Sequence, residues 1–126
     1  MLKLIPVRSG SARTVYALEV NGRCETYELL RSLPERAEQR LGYIIGRLAE
    51  TGWAGKGAES VRHLRGPVYE LKEHSSNVRL YCFFHAGRVV ICTHGSVKRS
   101  GKTRLNQEID KVDMLYELCK REDILT

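Results

Sequence analysis

From Pro67 onward the chain changes its hydrophobic period, and this most narrows the folds open to it. VYELKE (residues 68–73), VRLYCFFH (78–85) and RVVICT (88–93) each read as a short strand rich in β-branched and aromatic residues. The connections are His74-Ser75-Ser76-Asn77 and Ala86-Gly87. Links this short leave no room for a crossover helix, so the natural topology is an antiparallel meander.

The flanks supply the other elements. TVYALEV (14–20) reads as a strand closed by the turn signal Asn21-Gly22. Residues 24–31 fit either a second short strand or the entry to a helix. Ser32 as N-cap, Pro34 in the first turn and Glu35 three residues after the cap then open a helix. Leu33, Ala37, Leu41, Ile44, Ile45 and Leu48 recur along it at helical spacing, and Gly52 ends it. Residues 52–57 (GWAGKG) read as a loop, and 59–64 as a short turn of helix. Leu105, Ile109, Val112, Tyr116 and Cys119 mark a C-terminal amphipathic helix. The fold class is α+β. The 126 residues, 42% hydrophobic and 29% charged, suit one globular domain spanning 1–126.

Register turns the meander into a surface. A two-residue turn at Ala86-Gly87 pairs Arg79 with His94 and Tyr81 with Cys92. Closing the four-residue loop with Glu73 opposite Val78 pairs Lys72 with Arg79 and Glu70 with Tyr81. Alternation then gathers Tyr69, Leu71, Leu80, Cys82, Phe84, Val89 and Ile91 on a core face. The opposite face collects Glu70, Lys72, Arg79, Tyr81, Phe83, His85, Arg88, Val90, Cys92 and His94. Its row Lys72–Arg79–His94 sets cations side by side, which a sheet tolerates better when the row meets an anion. Three solvated side chains on an open sheet face are the plain alternative.

Charge points the same way. No acid occurs between Glu73 and Glu108, a window holding Arg79, Arg88, Lys98, Arg99, Lys102 and Arg104. The formal charge of +6, from 21 basic and 15 acidic residues, therefore falls wholly in that quarter. Concentrated positive charge is what a polyanion partner recognises. Arg62, His63 and Arg65 form a smaller basic cluster. Cys24, Cys82, Cys92 and Cys119 are scattered without a CxxC pair, which argues for reduced thiols and against a structural zinc site. No apolar run approaches the ~20 residues of a membrane span, and the apolar start is too short for a secretory signal. A cytoplasmic location is expected.

The stretch VYELKEHSSNVRLYCFF…GRVVICTHGSVKRSGKT resembles the RelE/HigB-type toxins of bacterial toxin–antitoxin modules, in particular their phage-derived HigB-like branch. The resemblance extends to the strand at 15–20 and the helical region at 33–50. It implies a small antiparallel or mixed sheet with N-terminal helices on one face and a C-terminal helix, the RelE-like microbial RNase fold. It also implies a type II toxin that cuts mRNA without metal or other cofactor, commonly on the translating ribosome. The implied inhibitor is a helix-turn-helix antitoxin held in a toxin–antitoxin hetero-oligomer, with no membrane partner. By position, Lys72, Arg79, His94 and Lys98 fall on the catalytic motif, and Arg99 and Lys102 on its basic continuation. Ser96 stands where the family has phenylalanine, Lys72 where it has arginine, and Arg104 where it has proline. Lysine keeps the charge of arginine but not its two-point fork.

RNA carries its own nucleophile, the 2′-OH, so such a site must hold in-line geometry, move protons and balance charge on the phosphorane. Arg79 and Lys72 are the candidates for gripping the phosphate. His94, with an ordinary pKa of about 6.5, is the candidate for proton transfer; a plain capping role at a strand end competes with it. Lys98 is the candidate acid. Tyr81, Arg99, Lys102, Arg104 and Arg65 are candidate RNA contacts, Tyr81 by stacking unless it is simply packed. Glu70 is either a base or an ion-pair partner. The alternative function is a catalytically weak or inactive relative that binds nucleic acid or a partner.

Overall fold

The computed structural model describes residues 1–52, 60–97 and 102–125; the side chains of Lys102 and Thr103 fall outside that description. Among the described residues there are six strands, β1 (Leu2–Ser9), β2 (Thr14–Val20), β3 (Val61–Arg65), β4 (Val68–Glu73), β5 (Val78–His85) and β6 (Val89–Ser96), and three helices, α1 (Glu25–Ser32), α2 (Glu35–Thr51) and α3 (Lys102–Arg121). The strands form one mixed sheet in the order β1-β2-β6-β5-β4-β3. The meander is antiparallel, and β2 joins it by pairing parallel to β6. The fold is α+β, with α1 and α2 on one face and α3 on the other.

Several expectations are corrected. Ser32 does not cap α2. Its hydroxyl donates back to the Leu29 carbonyl at 2.7 Å and closes α1. Leu33 before Pro34 is extended, as proline's ring demands of its predecessor, so the helical region is two helices. Residues 61–64 are strand rather than helix, because Val61 is buried opposite Leu71 while Arg62 and His63 face solvent. Leu2–Ser9, read only as an apolar start, pairs along β2 as an edge strand. The GWAGKG loop beyond Gly52, and Lys98 and Arg99, lie outside the described residues.

Register holds on one side of β5 and changes on the other. Glu73 faces Val78, Lys72 faces Arg79 and Glu70 faces Tyr81, as the four-residue loop requires. The β5–β6 turn instead takes three residues, with Ala86 and Gly87 both at positive φ, and pairs His85 with Val89. That one-residue shift moves Val90 and Cys92 into the core under α1 and α2, and Val89 and Ile91 to the α3 face. A bulge at Thr93 then adds a residue, so His94 faces Tyr81 and Arg79 faces Ser96. The row at the candidate site is Lys72–Arg79–Ser96.

The second face is not an open sheet surface. Ile109, Val112, Leu115 and Cys119 of α3 pack on Val68, Tyr81, Phe83 and Ile91 there. Burying each such side chain contributes roughly 1.5–3 kcal/mol, which holds α3 against the sheet. On the other face, a Cβ at Gly95 would lie 2.4 Å from the Arg79 carbonyl oxygen and 2.5 Å from Leu29 Cδ2. Only glycine lets α1 sit down on this end of β6.

Candidate functional site

The site lies where the C-terminal end of β6 meets β5, β4 and the first turns of α3. Lys72 and Arg79 stand side by side on the α3 face. Arg79 is only 4% exposed, and its Nη1 donates to Oε1 of the equally buried Glu70 at 3.0 Å. Arg62, on the next strand, approaches the other Glu70 oxygen at 3.5 Å. Lys72 is half-buried and makes no ion pair among the described residues.

Two hydrogen-bonding groups here are buried and unmatched. Nε of Arg79 and the hydroxyl of Tyr81 have no hydrogen-bond partner. They sit two residues apart on one side of β5. Buried donors without partners are rare in folded proteins, and each costs about 1–3 kcal/mol. Two such donors beside an uncompensated lysine are a cradle for an oxyanion. Burial raises the Tyr81 pKa, which keeps its hydroxyl a donor near neutrality.

His94 is buried against this cradle, its ring centroid 5.2 Å from that of Tyr81. Nε2 lies 3.1 Å from Glu108 Oε1 and Nδ1 lies 2.9 Å from the Thr93 hydroxyl. Burial, reinforced by the nearby Lys111 ammonium, lowers the His94 pKa against the pull of Glu108 and Glu25. The ring is therefore neutral at pH 7, and with a carboxylate at Nε2 the proton belongs on that nitrogen. Nδ1 then accepts from the Thr93 hydroxyl. The same hydroxyl has a second acceptor, the Tyr81 carbonyl, at 3.4 Å. Rotating it would let Nδ1 carry the proton instead.

The other candidates divide. Arg104 is exposed and reaches Glu108 at 3.7 Å, so it borders the site. Arg65 on β3 is committed to α3, at 2.8 Å from Asp110 and 2.5 Å from Asp113. Lys102 begins α3, and Lys98 and Arg99 precede it outside the described residues. Glu108, Thr93 and the Lys111–Glu25 pair at 3.0 Å were not singled out as site residues. For Glu108 a signal existed: it falls with Leu105, Ile109 and Val112 on the inward face of the helix, where a carboxylate needs a partner. Among the described residues, no group of three or more His, Cys, Asp or Glu side chains is arranged to hold a metal ion. No described helix is long and apolar enough to cross a membrane.

Residues 28–117, well over half of the chain, match the model of the phage-derived Gp49-like proteins. The chain belongs to the Gp49-like family. This family is toxin-like, of the RelE type found in type II toxin–antitoxin systems. The match takes in α2, the whole meander and most of α3, and so all of the site's described side chains. No curated protein matches the chain.

Proposed function

We propose that this Gp49-like protein is the toxin of a type II toxin–antitoxin module, of the HigB-like kind, and cleaves mRNA by attack of the 2′-OH on the adjacent phosphorus without a metal. The observation that carries the reading is the pair of unmatched buried donors, Arg79 Nε and Tyr81 Oη, next to the unpaired Lys72. A phosphodiester supplies what these groups lack. Arg79 and Lys72 hold the non-bridging oxygens, and charge building on the phosphorane is met by groups already in place.

His94 moves the proton. With Glu108 in place the ring presents an N–H; when RNA displaces that carboxylate, the Thr93 hydroxyl turns to the Tyr81 carbonyl and accepts from Nδ1. Nε2 is then a free lone pair and takes the 2′ proton. Lys98 protonates the departing 5′ oxygen. Tyr81 acts through its hydroxyl at the phosphate rather than by stacking, since its ring is fully buried. Arg99, Lys102, Arg104 and Arg65 draw in the flanking phosphates, Arg65 on leaving its two aspartates. The RNA is presented on the ribosome, and a helix-turn-helix antitoxin is the partner that holds the toxin silent.

A second reading, a relative that binds RNA or a partner without cutting, has one specific observation in its favour. Arg79 and His94 are already neutralised by Glu70 and Glu108. Purified protein incubated with RNA and chelator, with and without ribosomes, separates the two. Cleavage leaving 2′,3′-cyclic phosphate and 5′-hydroxyl ends supports the nuclease; binding with intact RNA in both mixtures selects the second reading.

A further inference from the structure

The outer face of α2, across the sheet from this site, carries its own concentration of positive charge. At about 100° per residue, Arg36, Arg40, Tyr43 and Arg47 fall within one narrow stripe roughly 16 Å long. All four are exposed. The acids of the helix lie mostly off the stripe: Glu38 points to the far side and Glu35 bonds Gln39 at 3.5 Å.

A fifth cation comes from β1. Beside the stripe a cavity of about 340 Å³ opens between Arg8, Tyr43, Gly46 and Arg47. The Arg8 guanidinium lies flat on the helix at Gly46, where a Cβ would come within 3.0 Å of its Nη1. None of the four arginines makes an ion pair among the described residues. Glu50, also at the rim, is held by Ser11, whose hydroxyl lies 3.1 Å away. The Tyr43 ring is 65% exposed, among the largest apolar surfaces the described residues leave in water. Arg47 sits 5.9 Å from its centroid and donates to its hydroxyl at 3.3 Å, which steadies the ring.

We infer that this face of α2 is a second binding surface, for a single-stranded segment of RNA whose backbone follows Arg36, Arg40, Arg47 and Arg8 and one of whose bases stacks on Tyr43. A cationic track around a fixed, open aromatic ring is how unpaired nucleic acid is held without sequence preference. An acidic polypeptide would satisfy the arginines but leaves the exposed ring without a function. The α2 surface and the Arg79 cradle face opposite ways, so they take separate segments of RNA, and this inference does not depend on cleavage.

The test is fluorescence anisotropy with a labelled 2′-O-methyl single-stranded RNA, which cannot be cut, titrated across a range of salt. The triple variant Arg36→Gln/Arg40→Gln/Arg47→Gln is expected to bind at least tenfold more weakly, with a salt slope smaller by about 2, since each single-strand phosphate contact contributes about 0.7. Tyr43→Ala is expected to lose roughly tenfold with its slope unchanged. These side chains are exposed, so thermal unfolding stays at the wild-type midpoint. Wild-type affinity and slope in the triple variant overturn the inference. So does polyglutamate binding as tightly as the RNA and failing to compete with it.

Discussion

The Glu108 carboxylate and the His94 imidazole meet at 3.1 Å, joining the first turns of α3 to the end of β6. Glu108 puts a negative oxygen beside the cradle that Arg79, Tyr81 and Lys72 form, where a phosphate oxygen belongs in the proposed reaction. Removing it takes away one like charge at close range, worth about 1 kcal/mol near a protein surface. Glu108→Ala is therefore expected to bind non-cleavable RNA roughly fivefold more tightly and to melt slightly earlier. Anisotropy checks the first effect; weaker binding would speak against Glu108 as a closing contact.

The same contact sets a pH dependence. The folded pKa of His94 lies below its ordinary 6.5, so the unfolded chain binds the proton more readily than the native one. The associated stability is complete above about 6.5 and is lost as pH falls toward the folded value. Denaturant unfolding should show stability declining between pH 7 and 5, and His94→Gln should flatten that decline. A slope of opposite sign would mean that the ring is charged in the native state.

Thr93 should affect activity more than folding. Thr93→Val keeps the shape but removes the hydroxyl that allows His94 to exchange its proton between nitrogens. Cleavage is expected to fall by about 10²-fold or more, with stability reduced by about 1–2 kcal/mol for the unmatched Nδ1. Thr93→Ser should restore both, as single-turnover rates beside melting curves would reveal.

Glu73 is a structural carboxylate and gives a contrasting signature. Burial alone would raise its pKa, but hydrogen bonds from Ser76 and Ser75, through hydroxyls and backbone amides, hold it down at about 2. Its contribution is present above the ordinary carboxylate value and disappears as pH falls through about 2. Glu73→Gln is expected to cost on the order of 1–3 kcal/mol at pH 7 and little near pH 2. RNA binding should be unchanged.

How far the sequence could be read follows physical lines. Strands β2, β4 and β5 came out at their observed bounds, because β-branched and aromatic runs there end at turn residues. The Lys72–Arg79 pairing was legible because a four-residue loop leaves little freedom, and Glu73 fastens it. The pairing across β6 was not. A three-residue turn and a bulge at Thr93 each shift the register by one, and neither residue type announces it. That is why His94 was placed opposite Arg79. The covering of the second face was missed for a different reason: alternation shows which residues share a side, but not that α3 lies over Tyr81 and Phe83. Strand β3 hid because Arg62, His63 and Arg65 look like a basic loop until Val61 has a partner in Leu71.

The account rests on cations gripping a phosphodiester, and Lys72 tests this most cleanly. Arg79→Ala strands Glu70 in the interior, where a broken ion pair costs about 3–5 kcal/mol, so lost activity would be confounded by lost folding. Lys72 has no ion pair to break and abuts a like charge, so Lys72→Ala should leave stability within about 0.5 kcal/mol of wild type. The decisive measurement is the single-turnover rate of RNA cleavage by folded Lys72→Ala protein in chelator. The account predicts a loss of about 10²–10³-fold; a rate equal to that of the unaltered protein would contradict it.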